Sequence, residues 1–267
     1  MQKIINQFLV LLLAFFLAWF LLSQIPFVSR DSMEKLSKKT EKKLGDLIVK
    51  SLESQGQKIY SAPLSQILDS IKQKICSRNS FDSLNIKIHV IDKTDINAFA
   101  LPGDNLVIYS GLINYAKNAD ELAGVMAHEI AHIEKNHVTK KLLKEIGLAM
   151  LMTIAGGDAG PEIAKEVLRT LSSTGFDRKQ EREADKIAAE SMAKAGFDPT
   201  SLANFFFRLA QSDGNLPAGL EWITTHPDTN DRAAEILEIK KNLAFKPEVC
   251  IHTPWDDVKK LLGNDSK

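Results

Sequence analysis

The spacing of apolar residues divides this chain into one long apolar block, several amphipathic helices and a short region of strands. The block FLVLLLAFFLAWFLL occupies residues 8–22. After it, apolar side chains recur at helical intervals over residues 32–55, again from Pro63, and again over residues 178–195. These periods predict a mainly helical protein behind an apolar N-terminal segment.

The pattern changes to a period of two in the middle of the chain. Residues 86–91, IKIHVI, alternate like a half-buried strand, and His89 falls on the polar phase, which predicts a surface histidine. NAFAL (97–101) and LVIYS (106–110) flank the turn-rich PGDN (102–105) as in a hairpin. The predicted fold class is therefore α+β, with a small antiparallel β-sheet in a mainly helical domain.

Two further segments complete the helical pattern. Residues 118–137 are predicted to form a helix, with Asn118 or Asp120 as its N-cap. Residues 146–157 are apolar but too short to span a membrane, which needs about 20 residues. They are interpreted as a core helix or a mobile flap.

The N-terminal block continues through Ile25 to Val28, and with that continuation it is long enough to cross a bilayer. No charged residue occurs between Lys3 and Arg30, so residues 1–29 are predicted to be one transmembrane helix, and residues 30–267 the folded domain. A cleaved signal peptide, followed by secretion, is the alternative, although no A-x-A site follows the block. Six basic residues over 30–43 favour a cytoplasmic domain, but large domains translocate despite such charge, and an extracytoplasmic domain is preferred.

The composition argues against a nucleic-acid partner and against a four-cysteine metal site. The 34 basic and 34 acidic residues cancel, so the positive charge of a nucleic-acid-binding protein is missing. Cys76 and Cys250 are too few for a four-thiolate zinc site, and a disulfide or two buried thiols are both open.

The predicted helix over 118–137 carries HEIAH. His128 and His132 lie one turn apart on a helix, within about 40° of each other, so both imidazoles can reach one metal ion. Glu129 lies beside them, where zinc peptidases place the carboxylate that acts on water. The alternative is an amphipathic helix with satisfied histidines, but apolar neighbours make polar groups without partners costly.

Catalytic zinc usually has three protein ligands. The extended pattern HExxHxxGxxH fails here, because Lys135 and Val138 occupy its Gly and His positions. His137 is out of register for it and is interpreted as a surface residue. The third ligand must come from another part of the chain.

The helix over residues 178–195 offers that ligand. Glu181 is placed to bind zinc, and Asp185, one turn later, to orient a ligand histidine through its free N–H. Glu183 is the rival ligand, but it points about 160° away from Asp185. Without HEIAH, this charged helix would be interpreted as a solvated surface.

Four segments together resemble the zinc endopeptidases of metallopeptidase family forty-eight, which includes prenyl and quality-control proteases. They are HEIAH (128–132), RKQEREAD (178–185), NAFALPGDNLVIYSGL (97–112) and THPDTNDR (225–232). The resemblance implies a zincin-type domain with zinc on His128, His132 and Glu181. It also implies that Glu129 is the general base and that Asp185 supports a ligand. His226 and Arg232 would stabilise the oxyanion, or His226 would be an added ligand that closes the site.

A zinc-dependent endopeptidase for unfolded or misassembled proteins at a membrane is the function that this resemblance implies. The strand over 105–110 is expected to offer an edge to an extended protein or peptide substrate. A latent zinc-binding chaperone or assembly factor is the alternative from another class. A metal-free membrane scaffold would require all four motifs to be accidents.

Overall fold

The structure is a computed structural model. It describes residues 38–81, 86–156, 161–211, 221–227, 229–248 and 251–263, with helical residues at 6–8, 12–13, 15–17 and 19. Its contacts divide the chain into two units, Met1–Leu36 and Ser37–Lys267. Among the described residues, no helix combines the length and the apolar character that a membrane crossing needs. Most of the predicted anchor lies outside the described residues and stays a prediction.

The second unit is mainly helical, as predicted. Its helices are α1 (Lys38–Glu53), α2 (Ala62–Ser77), α3 (Ser110–Tyr115), α4 (Ala119–Glu134), α5 (His137–Glu145), α6 (Gly147–Gly156), α7 (Pro161–Ser173), α8 (Arg178–Ala195), α9 (Pro199–Gln211), α10 (Glu221–Thr225), α11 (Thr229–Lys241) and α12 (Trp255–Lys260).

The sheet consists of β1 (Lys87–Ile91), β2 (Ala98–Leu101) and β3 (Asn105–Tyr109) in the order β1-β3-β2. The predicted hairpin is confirmed, because β2 and β3 pair antiparallel. The prediction of an antiparallel sheet is wrong for β1, which pairs parallel to β3, so the sheet is mixed. After β1 the chain first forms the outer strand β2 and then turns back as β3, which pairs with both of the others and lies in the centre. The prediction that β3 offers a free edge is therefore also wrong.

Helix α4 lies at the centre of the core. It packs against α8, α9 and strand β2, and twelve of its sixteen residues are buried. Gly124 permits a close approach to α9, since a Cβ added there would lie 2.8 Å from the Cβ of Leu202. The core thus fixes the HEIAH helix from several sides.

The ends of the two motif helices agree with the sequence. The side chain of Asn118 accepts a hydrogen bond from the Glu121 N–H and caps α4. Helix α8 begins after Asp177, which forms a capping box with Gln180, and it ends before Gly196 at φ +80°. A left-handed residue is favourable for glycine, so the helix stops there.

Three other predictions have different outcomes. Helix α6 is only partly a core helix, because Leu151 is buried while the side chain of Met150 is 37% exposed. His89 is half-buried, with its Nε2 2.9 Å from Oδ1 of Asn105, so the surface assignment is wrong. Cys76 is buried and Cys250 lies outside the described residues, so their pairing stays open.

Candidate metal centre

Helix α4 supplies the first two donors of the centre. The Nε2 atoms of His128 and His132 lie 3.0 Å apart, and neither side chain is exposed. The helical repeat alone produces this proximity, because residues four apart share one face. The two rings thus lie side by side as the helical repeat predicts, while their role as metal ligands stays a prediction.

Helix α8 lies across α4 and brings Glu181 to the same point. One carboxylate oxygen lies 3.6 Å from Nε2 of His128 and the other lies 3.4 Å from Nε2 of His132. Glu181 is 1% exposed. The rival carboxylate of Glu183 instead lies near Lys135, at 3.1 Å, outside this group.

His226, just after α10, completes the group. Its Nδ1 lies 3.2 Å from Nε2 of His128 and 3.0 Å from Oε1 of Glu181. The donor atoms of His128, His132, Glu181 and His226 all lie within 4.8 Å of one another, and all four residues are buried.

These spacings fit a metal ion. Four ligands at about 2.0–2.1 Å from a tetrahedral centre lie about 3.3–3.4 Å from one another, and the observed separations of 3.0–3.6 Å surround that value. Imidazole nitrogens that face each other at 3.0 Å need a shared proton or a cation between them. The donor set therefore fits a bound metal ion.

Asp185 and Arg232 support the group from behind. Oδ1 of Asp185 lies 3.0 Å from Nδ1 of His128, on the side of the ring away from the donors. Arg232 donates two hydrogen bonds to Asp185, at 2.7 and 2.8 Å, and is ion-paired with Glu181. A carboxylate on the free N–H of a ligand histidine fixes its tautomer and orientation.

Glu129 lies beside the group but is not one of its donors. Its Oε2 accepts a hydrogen bond of 2.9 Å from the N–H of Ala100 on β2, and its Oε1 lies 3.3 Å from Nε2 of His226. Burial, followed by the nearby charge of Glu181, raises the pKa of Glu129 well above its ordinary value. A carboxylate with a raised pKa is a better proton acceptor in general base catalysis.

Burial also shifts the pKa values of the donor residues. It lowers the pKa of His132 to about 3 and that of His226 to about 4, so both rings are neutral at physiological pH and keep a lone pair for a metal. Burial alone would raise the pKa of Glu181, but His226, His132 and Arg232 hold it well below its ordinary value.

Two aromatic rings that the sequence did not single out form walls of the centre. Phe176 lies against His132, with ring centroids 4.0 Å apart. Trp222 stacks on His226 at 4.4 Å and 22°. Each ring covers one donor histidine, and neither residue has a sequence signal beyond being apolar.

The prediction that His137 is a surface residue is wrong. Its side chain is 1% exposed, and its Nδ1 lies 3.0 Å from Nδ1 of His132. The only available signal was Asn136 just before it, a residue that readily takes a left-handed turn.

A metal group on an HExxH helix and a second helix, with one carboxylate left over for proton transfer, defines the class of metal-dependent peptidases. A model described as "Peptidase family M48" matches residues 64–240, more than half of the chain. The chain belongs to this family.

Curated relatives agree with the family. The "Beta-barrel assembly-enhancing protease" of Yersinia pestis is 27% identical over 79% of this chain and 46% of its own length. The "Mitochondrial metalloendopeptidase OMA1" of Schizosaccharomyces pombe is 27% identical over 88% of this chain and 72% of its own length. The Bos taurus OMA1 is 33% identical over 57% of this chain and 32% of its own length. The chain thus spans about half the length of the bacterial relatives.

Proposed function

We propose that this protein is a zinc-dependent metalloendopeptidase that hydrolyses peptide bonds of unfolded or misassembled proteins at a membrane. The observation that carries the proposal is the convergence of His128, His132 and Glu181, with Glu129 beside them and outside the donor group. A site that only bound metal would not need that buried carboxylate.

Zinc is the metal that this donor set suits best, since imidazole and carboxylate are its common ligands. His128, His132 and Glu181 would hold it. When bound, it supplies Lewis acidity, which lowers the pKa of a water molecule and polarises a peptide carbonyl.

Glu129 performs the proton transfers in this proposal. It takes a proton from the attacking water as the water oxygen bonds to the carbonyl carbon. It then gives that proton to the leaving nitrogen as the C–N bond breaks. The N–H of Ala100 holds its Oε2 at 2.9 Å, which leaves Oε1 as the atom that moves the proton.

Asp185 and Arg232 are proposed to hold the donors in place. Asp185 would orient His128, and Arg232 would keep the carboxylates of Asp185 and Glu181 ionised and fixed. The resemblance also assigned an oxyanion role to His226 or Arg232, which stays a prediction. The pairing of Arg232 with Asp185, Glu181 and the Pro227 carbonyl supports its positioning role.

Strand β2 is the proposed docking edge for substrate in place of β3. The Ala100 N–H points away from β3 and toward Glu129, so the outer edge of β2 runs beside the centre. An extended, unfolded segment that pairs with this edge would gain main-chain hydrogen bonds with little sequence preference. The names of the relatives, which refer to β-barrel assembly and to mitochondria, support a quality-control role in a membrane-bound compartment.

The test is the cleavage of casein by the purified full-length protein, loaded with zinc, beside its Glu129→Gln variant. We expect the variant to lose about 10²–10⁴-fold in rate, because general base catalysis contributes that much, and to retain zinc. The exposed Glu166→Gln variant is the matched control and should cut like the wild type. Equal cleavage by wild type and Glu129→Gln would refute the assigned base.

A latent metal-binding chaperone or assembly factor is the second candidate. The observation that favours it is His226 Nδ1, which places a fourth protein donor where a catalytic zinc site keeps an open position. Removing this donor in His226→Ala should raise casein cleavage if the closed state dominates. If His226 instead acts on the oxyanion, the same variant should lose activity while keeping its zinc.

A further inference from the structure

One buried histidine near the centre has no part in the proposed reaction. The imidazole of His137 is almost fully buried, and its Nδ1 lies 3.0 Å from Nδ1 of His132. The two rings cross at 72° with centroids 4.9 Å apart, so the contact joins ring edges rather than stacked faces. The nitrogen of His132 that faces His137 is the one turned away from the donor group.

A break between two helices produces this contact. In a continuous helix, a residue five positions after His132 would be rotated by about 140° from it. Here α4 ends at Glu134, Asn136 takes the left-handed conformation at φ +53°, and α5 starts at His137. The break redirects the chain and turns His137 back toward His132.

The direction of the hydrogen bond follows from the donor group. Nε2 of His132 faces His128 and Glu181, so its lone pair points to the metal position. A neutral imidazole carries one N–H, which must then be on Nδ1. That N–H donates to Nδ1 of His137, whose own proton is therefore on Nε2.

The far side of His137 meets a carboxylate. Its Nε2 lies 3.5 Å from Oε2 of Glu183, an electrostatic contact longer than a good hydrogen bond. Glu183 is held in turn by Lys135 at 3.1 Å. Glu183 is not one of the donors, but it is the last residue in a chain of contacts that runs from His132 through His137.

We propose that His137 is a positioning residue that fixes the tautomer and orientation of the metal ligand His132 by accepting its Nδ1–H. It does for His132 what Asp185 does for His128, with Glu183 as a weaker outer support. The inference rests on the proposed function, since it takes His132 as a ligand. Groups hydrogen-bonded to metal ligands typically contribute 10–100-fold to metal affinity.

The test is zinc affinity of the full-length protein, measured by chelator competition, together with the rate of zinc loss to excess EDTA. The His137→Leu variant keeps apolar bulk but has no acceptor, and we expect about 10–100-fold weaker binding. His137→Asn offers a carbonyl oxygen near the place of Nδ1 and should recover most of the loss. Glu183→Gln should weaken binding less than His137→Leu does.

His89→Leu is the matched control, because it removes a half-buried histidine on β1, outside the donor group, and should leave zinc affinity unchanged. The wild type offers a readout without mutation. In zinc-loaded protein labelled with ¹⁵N-histidine, NMR should detect scalar coupling between Nδ1 of His132 and Nδ1 of His137 through the shared proton. This readout decides the question even if His137→Leu fails to fold.

Unchanged affinity in a folded His137→Leu variant would overturn the inference alone, as would equal losses in His137→Leu and His137→Asn. Absence of the coupling in zinc-loaded wild type would do the same. A wild-type protein that binds no zinc would overturn both the proposed function and this inference.

Discussion

Arg232 shows at the residue scale how the centre holds several charges out of water. It is 3% exposed and contacts Asp185, Glu181 and the carbonyl of Pro227. Burial disfavours its charge, but Asp185 and Glu181 keep the pKa of Arg232 above its ordinary value. The cluster is stable only as a set, because each charge compensates another.

Removing this guanidinium should therefore be costly. We expect Arg232→Met to lower the free energy of unfolding by about 3–5 kcal/mol, since it leaves Asp185 and Glu181 buried without their cation. Urea denaturation of the zinc-free protein measures the change. Arg169→Met breaks an exposed pair with Glu166 and should leave the midpoint unchanged. A similar midpoint for both variants would contradict the compensation.

At the scale of elements, the centre depends on how closely α4 lies to its neighbours. Gly124 is four residues before His128 and therefore on the same face of α4. A Cβ at this position would lie 2.8 Å from the Cβ of Leu202 and 3.3 Å from its Cα, so a larger residue would require α4 or α9 to shift. The close packing of α4 on α9 at Gly124 therefore helps to set the position of the HEIAH helix in the core.

Gly124→Ala separates packing from helix propensity. Alanine in an unstrained helix would stabilise by about 1 kcal/mol, whereas overpacking typically costs about 1–3 kcal/mol. We expect the cost of overpacking to exceed the gain in helix propensity, so the melting temperature should fall. A raised melting temperature would mean that α9 can move away, and calorimetry of the zinc-free protein distinguishes the two results.

At the scale of the whole molecule, a buried lysine connects distant segments around the centre. Lys141 on α5 donates to the carbonyls of Leu171 and Thr174 at the end of α7, and its ammonium lies 4.5 Å from the ring centroid of Phe176. Phe176 in turn covers His132. Burial lowers the pKa of Lys141 to about 8.

This shift predicts a pH dependence of stability. Below pH 8 both the folded and the unfolded lysine carry the proton, so the penalty for the buried charge is constant. Between about 8 and the ordinary value of 10.5 the unfolded chain binds more protons, so stability rises with pH, by up to about 3 kcal/mol. Urea denaturation across this range should show the rise in the wild type. A rise of equal size in Lys141→Met would assign it to other groups.

The sequence by itself determined what depends on local geometry. The HEIAH pair, Glu129 beside it, and Glu181 with Asp185 one turn later all follow from the helical repeat. Asn118 and Gly196 marked helix ends through their own backbone preferences. The β2–β3 hairpin could be predicted because its turn residues are contiguous in the sequence.

Only the tertiary structure decided what depends on segments far apart in the chain. The parallel pairing of β1 with β3, the stacking of Trp222 on His226 and the covering of His132 by Phe176 are such long-range contacts. His137 was misassigned because one left-handed residue, Asn136, ends the helical repeat on which the assignment relied. Periodicity places side chains within one element, whereas packing between elements decides which of them meet.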